Sequence, residues 1–145
     1  MKKLGLIISA VFLTLGVACA DVDRPISVNE LPQKAQKFLK EHFSNREVSF
    51  AKEDPELLHK EYEVVLTDGT KIEFMSDGEW KSVDCRYGSV PAAIVPKQIK
   101  DYLAQNYPQA VVLGIDYERK QYEVRLNNHL ELTFDKNFRL IDIDD

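Results

Sequence analysis

Two segments of the chain place apolar residues at i, i+3, i+4 and i+8: Ala35, Phe38, Leu39 and Phe43, then Ile99, Tyr102, Leu103 and Tyr107. That spacing gathers each set on one face of a helix. Each segment opens on a proline, Pro32 or Pro96, where a helix loses nothing by the missing N–H, and closes at Ser44-Asn45 or Pro108. The pattern predicts helices over 30–43 and 94–106.

After each helix the apolar period falls from about 3.6 residues to about 2. Tyr62, Val64 and Leu66 alternate with Glu61, Glu63 and Val65, and Tyr122, Val124 and Leu126 with Gln121, Glu123 and Arg125. These are strands with one wet face. Thr67-Asp68-Gly69-Thr70 then supplies a hairpin turn, because Asp-Gly accepts the positive φ that tight hairpins need. Asn127-Asn128 does the same in the second segment, asparagine being the next most tolerant of that conformation. Ser76-Asp77-Gly78 and Lys136-Asn137 turn the chain into Trp80–Cys85 and Phe138–Ile143. With first strands over Glu47–Lys52 and Ala110–Tyr117, each segment reads as a helix followed by four antiparallel strands.

The two segments also match residue by residue. Leu31-Pro32 and the first helix recur 64 positions on, Tyr62-Glu63-Val64, Leu66 and Phe74 recur 60 positions on, and Trp80–Asp84 aligns with Phe138–Asp142 at 58. Drift confined to turns is the mark of a duplicated structural unit. The expected organisation is a tail at 21–28, unit one at 29–85, a Gly- and Pro-bearing linker at 86–93 and unit two at 94–145. Ser27 and Glu30 stand three apart, as in a capping box, ahead of the first helix. The fold class is α+β: two tandem helix-plus-four-strand antiparallel units forming one extended sheet, with the helices packed on one face.

Leu31-Pro32, the Phe38-Leu39 and His42-Phe43 helix, Tyr62-Glu63-Val64, and Asp77-Gly78-Glu79-Trp80-Lys81-Ser82-Val83-Asp84 together resemble the PepSY-like family of exported Bacteroides-type proteins. Both copies carry the pattern, and it covers nearly all of the chain beyond residue 20. The resemblance implies a fold like that of the beta-lactamase inhibitor protein and an inhibitory or protein-binding role. The second copy departs from the pattern where Asp77-Gly78-Glu79-Trp80 gives way to Lys136-Asn137-Phe138, two residues shorter with Phe in place of Trp.

Composition narrows the setting. Lys2 and Lys3 precede an uncharged apolar run from Leu4 to Ala18, followed by Ala18-Cys19-Ala20 and Asp21. A basic start, an apolar run and a small-x-small site describe an export signal over 1–20, cleaved near Ala20. The run falls short of the ~20 residues that span a bilayer, so no transmembrane span is expected in the mature chain. Acylation of Cys19 as a lipoprotein is the alternative to cleavage after Ala20. Removing 1–20 takes two lysines and no acid, which moves the formal charge from −5 to −7. An acidic exported chain of this kind is no nucleic-acid binder, which needs clustered cations. Cys85 is then the lone cysteine, so packing rather than a disulfide must hold the fold. Each unit alone, at about 60 residues, would be marginal by surface-to-volume scaling.

Catalytic constellations are absent from the sequence pattern. His42, His59 and His129 show no H-x-x-H or H-E-x-x-H spacing, G-x-S-x-G and S-x-x-K do not occur, and no Gly-rich phosphate loop is present. The chain is expected not to be an enzyme. The best candidate surface is the wet sheet face, carrying Glu61, Glu63, Val65, Lys71 and Glu73 in unit one and Glu123, Arg125, Glu131 and Thr133 in unit two. Trp80 and Tyr87 are candidate anchors for a protein partner, an exported or envelope protein. No cofactor is required. The alternative is a calcium-responsive or small-ligand-binding periplasmic protein. Asp142 and Asp144 share one face of the last strand and Asp84 aligns with Asp142, offering the oxygen ligands that calcium prefers.

Overall fold

The computed structural model describes residues 22–55 and 59–145. The expected export signal, Cys19 and the expected cleavage site lie outside the described residues. The elements run β1 (Arg24–Ile26), a short 3-10 turn (Val28–Glu30), α1 (Gln33–His42), β2 (Val48–Pro55), β3 (Lys60–Leu66), β4 (Lys71–Phe74), β5 (Trp80–Asp84), α2 (Lys97–Asn106), β6 (Val112–Glu118), β7 (Gln121–Leu126), β8 (Glu131–Phe134) and β9 (Leu140–Asp144). The strands form one antiparallel sheet in chain order, β1 through β9.

Both helices start later than their apolar spacing suggests. Leu31 and Pro32 are extended, with ψ of 151° and 147°, because a residue before proline is kept out of the helical region. Pro32 and Pro96 therefore occupy N-cap positions instead of the first turn. The Ser27–Glu30 box closes a turn of its own, with the Glu30 carboxylate accepting the Ser27 backbone N–H at 2.7 Å. Within the expected tail at 21–28 a strand forms: Arg24–Ile26 pairs with Ala51–Glu53 of β2, and Arg24 reaches the Glu53 carboxylate at 3.2 Å.

Period-two alternation does the rest. Val64, Ile72, Val83, Ile115, Val124 and Leu132 are cross-strand neighbours from β3 to β8, and all are fully buried. Both helices cover this row. Phe38 of α1 meets Phe74 edge-on at 5.6 Å, Tyr102 of α2 meets Phe134 edge-on at 5.4 Å, and Ala35, Leu39, Ile99 and Leu103 are buried between them and the sheet. Strand β5 pairs directly with β6 through Ser82–Asp116, Val83–Ile115 and Asp84–Gly114. The Cys85 and Val90 N–H groups extend that seam onto the Leu113 and Val112 carbonyls, at 2.7 and 2.9 Å.

The register corrects the sequence alignment of the last strands. Phe74 faces Trp80 in β5, and Phe134 faces Leu140 in β9. Trp80 therefore corresponds to Leu140, and the 60-residue offset of Tyr62 and Tyr122 continues to the last strand. The two turns are equally long: the Gly78 N–H bonds the Met75 carbonyl as the Phe138 N–H bonds that of Asp135, both at 2.9 Å. Phe138 holds the left-handed position at φ 61° where Gly78 has 87°. Its ring stacks on Tyr122 at 5.4 Å, so the aromatic is kept by a contact in spite of the backbone cost.

Gly78 has its own reason. A Cβ there would lie 2.8 Å from the Pro32 Cβ and 3.0 Å from the Ala35 nitrogen, because the β4–β5 turn docks on the start of α1. Lys34 ties the same turn through Glu79 at 2.8 Å. Gly78→Ala should lower stability by at least about 1 kcal/mol, from positive φ and the clash together. The reading is a lower urea midpoint at unchanged slope; an unchanged midpoint would mean the turn does not rest on the helix.

Candidate binding face

Because one side of the sheet is spent on the helices, every residue between the buried positions points to the other side. Two cross-strand rows result. One runs Lys52, Glu63, Glu73, Ser82, Asp116, Glu123, Thr133, Asp142. The other runs Phe50, Val65, Lys71, Asp84, Gly114, Arg125, Glu131, Asp144. The expected Glu63, Lys71, Glu73, Glu123, Arg125 and Glu131 thus share one face, and Glu61 joins them by accepting Lys81 at 2.9 Å.

Two expected contact residues do not. Trp80 lies on the helix side, stacked on Phe38 at 6.3 Å, since its cross-strand partner Phe74 is core. Tyr87 is highly exposed, but it sits by the β3–β4 turn, where its ring would be 3.7 Å from a Cβ on Gly69. The calcium candidates are not brought together either. Asp84 is on β5 and Asp142 and Asp144 are on β9, four strand spacings away, or about 19 Å. Asp84 instead meets Arg125 at 3.2 Å. Among the described residues no group of three or more His, Cys, Asp and Glu is placed to hold a metal ion.

The two halves of the face differ in charge balance. On β3–β5, Glu61, Glu63 and Glu73 each have a lysine nitrogen within 3.0 Å, from Lys81 or Lys71. Hydrogen bonding to Glu63 and Glu73 holds the Lys71 ammonium well above the usual lysine range. On β6–β9 the cation supply fails. Arg125 leans away over Gly114 toward Asp84, and a side chain at position 114 would collide with its guanidinium. Among the described residues, Asp116, Glu123, Glu131, Asp142 and Asp144 form no ion pair. Burial pushes the Asp116 carboxyl up, against the easing effect of the Ser82 hydroxyl. Burial pushes Glu123 up as well, and the neighbouring Glu131 carboxylate pushes it further.

Across the β5–β6 seam these residues frame a groove of about 410 Å³, with Glu73, Lys81, Asp116, Glu118, Arg119 and Glu123 on its walls. Lys81, Asp116, Glu118 and Arg119 are the wall residues that the sequence reading missed. Lys81 is the extra residue of a bulge opposite Glu73 and Phe74, and Arg119-Lys120 make a two-residue hairpin with φ of 53° and 64° and no Gly or Asn to mark it. Cys85 is buried, which raises its thiol pKa and disfavours the thiolate; His42 packs on Phe38 at 4.7 Å, and His59 and His129 are exposed at strand ends.

A family named for a proposed likeness to beta-lactamase inhibitors and to PepSY domains matches residues 60–142. Three solved structures share the fold. A Bacteroides thetaiotaomicron periplasmic protein, proposed to be calcium-regulated, is 50% identical, with a TM-score of 0.83 over 85% of this chain and 97% of that one. A Bacteroides vulgatus periplasmic protein is 48% identical, with a TM-score of 0.84 over 87% and 99%. A second B. vulgatus periplasmic protein, of unknown function, is 36% identical, with a TM-score of 0.81 over 86% and 100%. No curated protein matches the chain.

The raised carboxyls carry a pH signature. An acid whose folded pKa lies above its unfolded value costs nothing below the unfolded value; its cost to stability builds as pH rises from the unfolded to the folded value and is complete above it. Glu123→Gln should therefore make the protein more stable at pH 7, with the gain shrinking on acidification and gone below the ordinary glutamate value of 4.5. Urea unfolding across that pH range checks it; a gain independent of pH, or a loss at pH 7, would show that the carboxylate is not repelled in the fold.

Proposed function

Because the chain belongs to the PepSY-like family, we propose that it is an exported, non-enzymatic protein-binding module of the periplasm, acting as an inhibitory protein through its open sheet face. The observation that carries this reading is the seam-spanning groove with its acidic half, where the half-buried carboxyls of Asp116 and Glu123 lack ion-pair partners that another protein can supply. Burying such groups against complementary charge on a partner is a common basis of specificity and fast association. The fold is read as two related units, 29–85 and 94–145, joined by 86–93, with the doubling serving to widen the face. Export follows from the signal over 1–20, with cleavage near Ala20 and lipidation at Cys19 as the alternative. The partner is an exported or envelope protein.

A periplasmic pull-down tests the face. The mature protein and a helix-side control, Lys100→Glu, should retain the same partner, and Asp116→Lys with Glu123→Lys should lose it. Identical capture by all three would count against the open face.

A second reading, a calcium-responsive protein, is favoured by the proposed calcium regulation of the 50% identical relative. It would have to draw on the carboxylates around Asp116 and Glu123, since Asp84 stands apart from Asp142 and Asp144. A ligand that binds only the folded state raises its melting temperature. Millimolar calcium should leave the melt unchanged on the leading reading, and a clear rise would favour the second.

A further inference from the structure

The two edges of the sheet are treated differently. Edge strand β1 is three residues long, contains Pro25, and has its cation Arg24 engaged with Glu53 and Glu30. Short length, proline and engaged charge are the usual ways to close an edge. At the other edge, β9 is five residues long, has no proline and, among the described residues, pairs with β8 alone. Ile141 and Ile143 are 50% and 46% exposed on it. The Ile143 N–H donates to the Asp142 carboxylate at 3.0 Å, a side-chain acceptor in the place where a neighbouring strand's carbonyl would sit.

We infer that the outer edge of β9 takes up an extended cationic segment of another protein as a tenth strand, its backbone pairing with β9 and its basic side chains facing Asp142 and Asp144. The register decides the chemistry of the guest. Asp142 and Asp144 lie on the open face, opposite Thr133 and Glu131, while Ile143 lies on the helix side, opposite Leu132. An added strand alternates its side chains in the same way, so it should read basic, apolar, basic. Acidic side chains continue inward on both rows, Glu131 next to Asp144 and Glu123 beyond Thr133, which extends the attraction beyond the edge itself.

Charge also argues against a second copy of this chain as the guest. Antiparallel pairing of β9 with its own copy about Ile143 would set Asp142 against Asp144, and like charges directly opposite destabilise a sheet. The guest carbonyl would displace the Asp142 carboxylate from the Ile143 N–H and free it for a lysine or arginine. This site is distinct from the groove at the seam of β5 and β6.

The test uses a short peptide alternating lysine with valine, the same peptide N-methylated at alternate residues, and a glutamate–valine counterpart. Titration calorimetry on the mature protein should detect binding of the first only. Asp142→Lys with Asp144→Lys should weaken it by about tenfold or more, as expected for two lost and reversed charge pairs. Asp116→Lys, in the groove, should leave it largely intact. Amide exchange should show new protection at Ile143. Equal binding of the N-methylated peptide, or protection confined to strands other than β9, would overturn the strand-addition geometry. Binding of the glutamate peptide would overturn the charge argument. Self-association of the free protein through β9 would make a second copy the occupant.

Discussion

The pairing of β5 with β6 is the constraint on which the rest depends. Ser82, Val83 and Asp84 meet Asp116, Ile115 and Gly114, and the ladder that starts at β1 is thereby carried to β9 without a break. Without that seam there would be two half-sheets, each with one helix and about 60 residues, near the lower limit for a self-supporting core. With it, Val83 and Ile115 sit side by side in the middle of a buried row six strands long. Helix α2 enters the chain between β5 and β6, yet it packs on the same side as α1, so the opposite side is left open along its whole width.

The open face inherits its character from that geometry. The same residues that fix the seam also set its chemistry: Asp116 is half-buried because it lies between Ser82 and Glu123, and Gly114 is bare so that Arg125 can cross it to Asp84. On the open face of β3–β5, Glu61, Glu63 and Glu73 pair with Lys71 and Lys81; among the described residues, Asp116, Glu123, Glu131, Asp142 and Asp144 on β6–β9 form no ion pair. At the position of Arg125 the first half has Val65, and at the position of Gly114 it has Phe50, which is half exposed. Similar backbones thus present a charge-matched, partly apolar surface on one side of the seam and an acidic one on the other.

Much of this was legible in the sequence because it rests on period. The helical faces of Ala35, Phe38 and Leu39 and of Ile99, Tyr102 and Leu103, and the alternation around Val64 and Val124, are local signals. So are the Asp68-Gly69 and Asn127-Asn128 turns, although the positive φ of the second falls on His129, at 71°, and not on either asparagine. What the sequence hid depends on register. Phe138 drew the alignment toward Trp80 because both are aromatic, whereas the turn hydrogen bonds show that Phe138 stands where Gly78 does. Strand β1 was hidden because Arg-Pro-Ile has no alternation to read and is ordered only by β2. The carboxylates of Asp84 and Asp142 looked like partners because repeat position says nothing about distance across a sheet. Asp116 went unread for the same reason, since its burial comes from strands far away in sequence.

Native-state hydrogen exchange across the seam tests this account most directly. The N–H groups of Cys85 and Val90, which bond the Leu113 and Val112 carbonyls, together with the amides of Val64 and Val124, report on the seam and on each half. If one ladder holds the molecule together, the seam amides exchange only through global unfolding, with the same free energy as Val64 and Val124. Seam amides that open at markedly lower free energy, with the two halves retaining separate stabilities, would contradict it.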